Sequence, residues 1–296
     1  MSLVVNHNMM AANSSRYLNT HYKALSDSTR KLSSGLRVET AADDAAGLAI
    51  RELMRADISS LNQGVRNAND GISLIQTADG ALGVIDEKLI RMKELAEQAA
   101  TGTYDSTQRL IIDSEYQQMA SEITRIANAT DFNGIKLLDG NLSSDTHNGS
   151  GLKSTGKLKI HFGTGNDSAE DYYYIQIGTA TASALGVGNS SPRTRAGHDI
   201  STQANAQRAL EAINNAIVSK DNIRAHLGAL QNRLENTITN LEVQSENLQA
   251  AESQISDVDV ATEMTNFVRN QILTQSAVSM LGQANSLPQM ALNLIG

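Results

Sequence analysis

The chain has 296 residues with no Trp, three Phe and only two Pro, a composition that favours thin apolar layers and long uninterrupted helices over a compact aromatic core. Its formal net charge is -8, with acidic and basic residues interspersed, so no basic stripe offers itself to nucleic-acid phosphates. Cysteine is absent, which excludes disulfides, thiolate catalysis and thiolate metal sites. That absence suits a chain that must pass unfolded through an export machine, and equally an ordinary chain with no use for thiols.

No run of about 18 apolar residues is present, so nothing is expected to insert in a membrane. Residues 1–10 contain neither a basic n-region nor a long apolar h-region, so no cleavable signal peptide is visible. The first element is an amphipathic helix in which Val4, Ala11, Leu18, Leu25 and Leu32 recur every seven positions, joined by Tyr22 and Leu36. Gly35 lies past this run and suits a C-cap or a bend. Asp43 and Asp44 favour the first turn of a following helix, where carboxylates meet the positive end of the dipole; a role in contacts between copies fits the pair as well. That helix is predicted from about residue 42 to 100, roughly 85 Å at about 1.5 Å per residue. Its seam reads Ile58, Leu61, Val65, Ala68, Ile72 and Ile75, slips in phase near Ala78, and resumes at Leu82, Ile85, Leu89 and Met92. Such a slip reads as a stutter that changes the supercoil locally.

A turn over residues 101–106 leads to another helix, with Leu110, Ile111, Tyr116, Met119, Ile123 and Ile126 on its apolar face. Eleven of the 21 glycines then fall between Gly134 and Gly197, so turns and short strands are expected there. Residues 157–162 alternate polar and apolar as a strand with one solvated face, residues 172–177 make a second, and residues 163–171 turn between them. Residues 143–154 and 186–195 read as exposed loop, too poor in apolar surface to offset their ordering entropy. Further on, Leu227, Leu234, Leu241, Leu248 and Ile255 recur every seven residues, with Ile223, Leu230 and Ile238 between them, which predicts a coiled-coil helix. Residues 256–296 are enriched in Met264, Phe267, Val278, Leu281, Leu287, Leu292, Leu294 and Ile295.

The fold class is therefore mainly α: a long antiparallel helical rod or coiled-coil bundle formed by the N- and C-terminal segments, with a small β-hairpin region in the middle. Neither seam can remain wet, so the two flanks must pair. The extreme ends differ, because one apolar stripe per isolated helix gives too little burial to hold it firmly, and they should order when neighbours cover them. Their charges are weakly complementary. Residues 1–40 hold five Lys/Arg against two Asp/Glu, and residues 256–296 hold one Arg against three Asp/Glu, an attraction that salt screens.

Several motifs are recognisable. Leu32-Ser33-Ser34-Gly35-Leu36-Arg37, Asp43-Asp44-Ala45-Ala46-Gly47-Leu48-Ala49-Ile50, Asn69-Asp70-Gly71-Ile72-Ser73, Gln76-Thr77-Ala78-Asp79-Gly80-Ala81-Leu82, Phe132-Asn133-Gly134, Ser256-Asp257-Val258-Asp259 and Leu281-Gly282-Gln283-Ala284-Asn285 occur in this order. Together they closely resemble bacterial flagellin over roughly residues 1–140 and 200–296. The resemblance implies residues 1–41 and 256–296 as the helices of an inner filament-core domain lining a central channel. It likewise implies residues 42–140 and 201–255 as the two halves of a rod domain, and residues 141–200 as a short variable region without large outer domains. The self-assembly core implied is Leu18, Tyr22, Leu25, Leu32, Met264, Phe267, Val278, Leu281, Leu292 and Leu294.

The partners implied are further copies of the chain in a helical homopolymer, a flagellin export chaperone over about residues 256–296, the flagellar export apparatus, and junction and cap proteins. The location implied is secreted, in the extracellular filament. Positions matching the family's surface for Toll-like receptor 5 are Arg91, Leu95, Gln98 and Glu115; Arg91 and Leu95 are four apart and so share a helix face. The sequence departs from the commoner pattern at Lys93 and Glu97, and filament packing alone would account for Arg91 and Leu95 equally. Ser143, Ser144, Thr146, Ser150, Ser190 and Ser191 lie in the predicted loops, where family members are often O-glycosylated.

No catalytic chemistry is visible. The six His residues are scattered without a His-Glu-x-x-His pair, and neither Gly-x-Gly-x-x-Gly nor Gly-x-Ser-x-Gly occurs. No catalytic, metal-binding or cofactor-binding residue is expected, and no enzyme activity. Two other readings stay open: the hook-filament junction protein, which has the same terminal helices, and a secreted helical ligand or adhesin for a host receptor.

Overall fold

The computed structural model describes residues 8–148, 156–168, 170–188 and 197–295. The elements follow in the order α1 (Met9–Ser34), α2 (Ala45–Ala100), α3 (Ser106–Ala129), β1 (Asp131–Phe132), β2 (Ile135–Lys136), β3 (Leu158–His161), β4 (Tyr172–Ile175), α4 (Gln203–Ser256) and α5 (Val260–Ile295). They form two compact units, one over Ser59–Ser245 and one combining the chain up to Ile58 with the chain from Glu246.

In the Ser59–Ser245 unit, α2 buries Leu61, Gly64, Ala68, Gly71, Ile75, Ala78, Leu82, Ile85, Leu89, Met92, Ala96 and Ala99, an unbroken alternation of three and four. The stutter expected near Ala78 is absent. Gly64 and Gly71, rather than Val65 and Ile72, take the inward positions because other groups crowd against them. A Cβ at Gly64 would strike the Phe162 carbonyl oxygen, and one at Gly71 would lie 3.4 Å from the side chains of both Ile160 and Leu234. Close approach of this kind is what glycine supplies in return for its conformational entropy cost in a helix.

The seam of α4 continues the predicted one toward its N-terminus through small residues. Ala206, Ala209, Ile213, Ala216, Lys220, Leu227, Leu230, Leu234 and Leu241 are buried, and Ile223 and Ile238 pack partly against the same core. The helix runs antiparallel to α2: Leu234 faces Gly71, Arg224 Nε donates to Asp79 Oδ1 at 2.7 Å, and Lys220 Nζ to Asp86 Oδ1 at 2.6 Å. Lys220 occupies a seam position with its side chain 2% exposed and also meets Asp221 at 2.7 Å. A polar group at one core position fixes register, because any slip strands its charge in apolar surroundings.

Helix α3 opens with a capping box between Asp105 and Gln108. It buries Ile112, Tyr116, Ala120, Ile123 and Ala127, with Met119 and Ile126 partly covered. Leu110 and Ile111, expected on the apolar face, are 58% and 69% exposed. The correction has a polar cause. Ile200 N donates to Asp113 Oδ1 at 2.9 Å, Tyr116 hydroxyl donates to Gly197 O at 2.7 Å, and Gln117 Nε2 to His198 O at 2.6 Å. Docking this returning segment turns the Asp113–Tyr116–Gln117 side inward and Leu110 and Ile111 outward. Burial, then the charges of Asp113 and Asp199, push the Tyr116 hydroxyl pKa up.

Strands β1 and β2 are joined by Asn133 and Gly134, both at positive φ (51° and 77°), the requirement of a two-residue type I′ hairpin. Strand β3 pairs antiparallel with β4, Leu158 opposite Ile175 and Ile160 opposite Tyr173, as the alternating pattern implied. Leu158 and Ile175 join the core, while the Lys159 ammonium sits 3.6 Å from the Tyr172 ring centroid on the other face.

In the smaller unit, Asn8 caps α1 by accepting from Ala11 N, and Gly35 ends it in the left-handed region (φ 73°) with its N–H donated to Lys31 O. Helix α5 starts on Asp259, whose carboxylate accepts from Ala261 N and Thr262 N. The adjacent carboxylates Asp43 and Asp44 divide their work. Asp44 accepts from Ala46 N and Gly47 N at the head of α2, whereas Asp43 accepts from Thr40 and pairs with Arg30 at 2.9 Å. The Thr40 hydrogen bonds, backbone first, and the Arg30 guanidinium hold the Asp43 carboxyl well below the usual carboxylate range.

Candidate assembly site

Helices α1 and α5 pack along each other, tied at one end by Asn8 Nδ2 donating to Ala284 O at 2.7 Å and at the other by an antiparallel bridge between Leu36 and Asp257. On α1 the half-buried positions recur at Ala11, Leu18, Leu25 and Leu32; on α5 at Phe267, Asn270, Thr274, Ala277 and Leu281. The seam is thin, because small and polar side chains hold much of it. Among the described residues of these two helices, only Ser28 and Ala284 are buried.

The large apolar side chains point elsewhere. Met9, Met10, Tyr17 and Tyr22 on α1, and Val260, Met264, Val268, Ile272, Leu273, Val278, Met280 and Met290 on α5, are between 38% and 66% exposed. Beyond Arg269, α5 carries no charged residue at all. Asn, Gln, Ser and Thr are interspersed along that stretch, and covering the large apolar side chains between them is favourable. Between the two helices lies a groove of about 520 Å³ lined by Met10, Tyr17, His21, Leu273, Ala277 and Met280 among others, open to solvent and mostly apolar.

Of the implied self-assembly residues, Leu18, Leu25, Leu32, Phe267 and Leu281 sit half-buried along the α1–α5 seam. Tyr22, Met264 and Val278 are exposed. Leu292 and Leu294 fall on α5 with side chains outside the described residues, and Val4 lies outside them altogether. Sequence reading missed the polar staples of the links. Arg51, itself buried, donates from Nη1 to Val38 O at 2.6 Å and pairs with Glu52 at 2.7 Å. No periodicity signals such contacts.

The residues matching the receptor surface separate. Arg91 forks onto Glu115 Oε1 at 2.9 and 2.8 Å and reaches Glu94 at 2.9 Å, and those two carboxylates, Glu94 first, push its pKa up. Gln98 donates to the Tyr104 hydroxyl at 3.1 Å. Leu95 does not share this face: it is 1% exposed, in the core. The four-residue spacing from Arg91 is cancelled because Leu95 adjoins the Met92 and Ala96 seam positions, so only Arg91, Gln98 and Glu115 are accessible. Ser144 and Thr146 are exposed and hydrogen-bonded to each other, and Ser143 is half-buried with its hydroxyl donated to Gly140 O. Ser150, Ser190 and Ser191 lie outside the described residues. Among the described residues no group of three His, Asp or Glu is placed to hold a metal, and no helix is long and apolar enough to cross a membrane.

Residues 5–143 match the family model of the bacterial flagellin N-terminal helical region, and residues 210–295 that of the C-terminal helical region. The chain is 42% identical over 293 residues to a flagellin of Halalkalibacterium halodurans, a match covering 99% of this chain and 100% of that one. The chain belongs to the bacterial flagellin family. A flagellar filament 33 kDa core protein of Treponema phagedenis is 41% identical over 293 residues, with 99% and 100% covered. The crystal structure of Bacillus cereus flagellin is 28% identical, covers 63% of this chain and 94% of its own, and has a TM-score of 0.46. Flagellins are a structural protein family.

Proposed function

We propose that this chain is the repeating subunit of a bacterial flagellar filament, the propeller of swimming motility, and that α1 and α5 are its assembly elements. One observation carries the reading: large apolar residues on α1 and α5 remain exposed along helices that bury only Ser28 and Ala284 among the described residues, whereas α2 buries every seam position from Leu61 to Ala99. A helix pair with a thin, partly polar seam gains little alone; neighbouring copies that cover its outer faces supply the missing burial, so folding of the ends and polymerisation are one event. The name of the Treponema phagedenis relative, a filament core protein, supports this reading.

On this basis residues 1–41 and 256–296 form the inner core of the filament, residues 42–140 and 201–255 its rod, and residues 141–200 the outward variable part. The subunit travels unfolded through the flagellar export apparatus and adds at the distal tip between junction and cap proteins, ending as an extracellular filament. An export chaperone covers residues 256–296 beforehand, which fits the exposed apolar side chains of the uncharged stretch beyond Arg269. Toll-like receptor 5 meets Arg91, Gln98 and Glu115, with Leu95 supporting them from the core. Sugar attachment falls on Ser144 and Thr146 before the less exposed Ser143.

Removing residues 285–296 tests the assembly reading. A soluble protein that keeps the thermal transition of its Ser59–Ser245 unit and grows no filaments is expected; filaments of normal length from the truncation contradict it. Filaments grown from the purified chain alone distinguish this reading from an adhesin, and abundance at filament scale distinguishes it from a junction protein. For the receptor, a reporter assay on monomer in which Arg91→Ala abolishes the response is expected; no response to the unsubstituted monomer at high dose removes that partner.

A further inference from the structure

Helix α4 ends at Ser256 with its last four carbonyls, those of Ser253, Gln254, Ile255 and Ser256, lacking partners within the helix. Ser253 O is met locally by Asp257 N at 2.9 Å. The other three are met by one residue from the opposite end of the chain. Arg37 Nη2 donates to Gln254 O at 3.3 Å and Ile255 O at 2.7 Å, and its backbone N–H donates to Ser256 O at 2.6 Å. Val258 N returns a bond to Gly35 O at 3.0 Å. The last turn of α4 contains no basic residue of its own, so the guanidinium also supplies the cation that the negative end of the helix dipole favours.

We propose that Arg37 is a positioning residue for assembly: a cap in trans that completes the C-terminus of α4 only when the N-terminal link has arrived, and so aims α1 and α5 out of their links as a matched pair. The inference rests on the filament reading above. The cap sits within a stapled link, since Arg51 holds Val38 O and Arg30 with Thr40 holds Asp43, so the residues on either side of Arg37 are already fixed. A planar fork reaches two successive carbonyls at once, which a lysine ammonium on a flexible stem does not reproduce. The ends of the chain therefore order together.

The experiment compares the unsubstituted chain with Arg37→Ala, Arg37→Lys and Lys31→Ala, the last removing a neighbouring, half-buried charge from the last turn of α1. Each is measured for critical concentration of filament growth, amide exchange over residues 253–260, and thermal unfolding of the Ser59–Ser245 unit. Arg37→Ala is expected to raise the critical concentration about tenfold, the equivalent of ~1.4 kcal/mol, and to speed exchange over residues 253–260. The main thermal transition should stay in place; Arg37→Lys should recover part of the loss, and Lys31→Ala should change neither quantity. Unaltered growth and exchange in Arg37→Ala overturn the proposal, as does a lowered main transition, which assigns the residue to general stability. Failure of the unsubstituted chain to polymerise strikes the filament reading instead, and exchange over residues 253–260 still judges the cap.

Discussion

The Ser59–Ser245 unit and the α1–α5 pair use the same heptad spacing to opposite ends. In the first, every seam position of α2 from Leu61 to Ala99 is buried, and Leu82, Ile85, Leu89 and Met92 have no exposure at all. In the second, Ser28 and Ala284 are the buried residues among those described, while Ile272, Val278 and Met280 face solvent. Spacing alone thus selects helix and pairing. What separates a finished core from an unfinished one is where the large side chains stand relative to the seam.

This contrast can be broken most sharply by truncating one apolar residue on each side of it. Leu89→Ala should cost about 2–5 kcal/mol in denaturant unfolding, as buried leucines do when a cavity is left. Ile272→Ala should cost less than about 0.5 kcal/mol in monomer and yet raise the critical concentration for growth. Equal effects on monomer stability would end the distinction.

A smaller loss is expected for the buried cation. Lys220→Ala leaves the Asp86 carboxylate without its partner at 2.6 Å, and about 1–3 kcal/mol should be lost because that carboxylate is partly open to water. Lys220→Met should recover most of it, at the expense of register specificity, measurable as broadened exchange or alternative oligomers. Arg224→Ala removes an ion pair to Asp79 that is 39% and 42% exposed, and should cost at most about 1 kcal/mol, vanishing in high salt.

The mildest effect is one of pH, confined to the smaller unit. The Asp43 carboxyl titrates below its unfolded value, so its contribution is present above pH ~4 and is lost as the pH falls through the native value. Acid titration followed by circular dichroism should show early loss of helix in the unsubstituted chain. Asp43→Asn should show part of that loss already at neutral pH and a flatter acid response.

The helices, their pairing and the β3–β4 hairpin were legible because periodicity reports burial directly. Small residues defeated it. Gly64 and Gly71 hold seam positions that a search for large apolar side chains assigns to Val65 and Ile72, and this created a phase slip that the structure lacks. On α3, Leu110 and Ile111 look like core until one knows that residues 197–200 come back to bond Asp113, Tyr116 and Gln117. Leu95 joins the receptor surface through the family resemblance, and its spacing of four from Arg91 does not separate that face from the adjoining seam, where it is buried. Arg37 was least legible, since its carbonyl partners lie more than 200 positions away and only the missing cation in the last turn of α4 hints at it.

The landing of the chain on α3 has an evolutionary corollary. Asp113, Tyr116 and Gln117 grip an amide and two carbonyls of the returning segment, groups that every sequence possesses, and no side chain of Gly197, His198 or Ile200 takes part in those three bonds. Those three bonds therefore make no demand on side chains, although Gly188 N also donates to Gly197 O at 2.9 Å and a Cβ at Gly197 would strike the Gly186 carbonyl oxygen, so residues 186–188 belong to the landing. A change or insertion between residues 188 and 197 leaves the three bonds available, so the Ser59–Ser245 unit can receive a rewritten stretch at the same address.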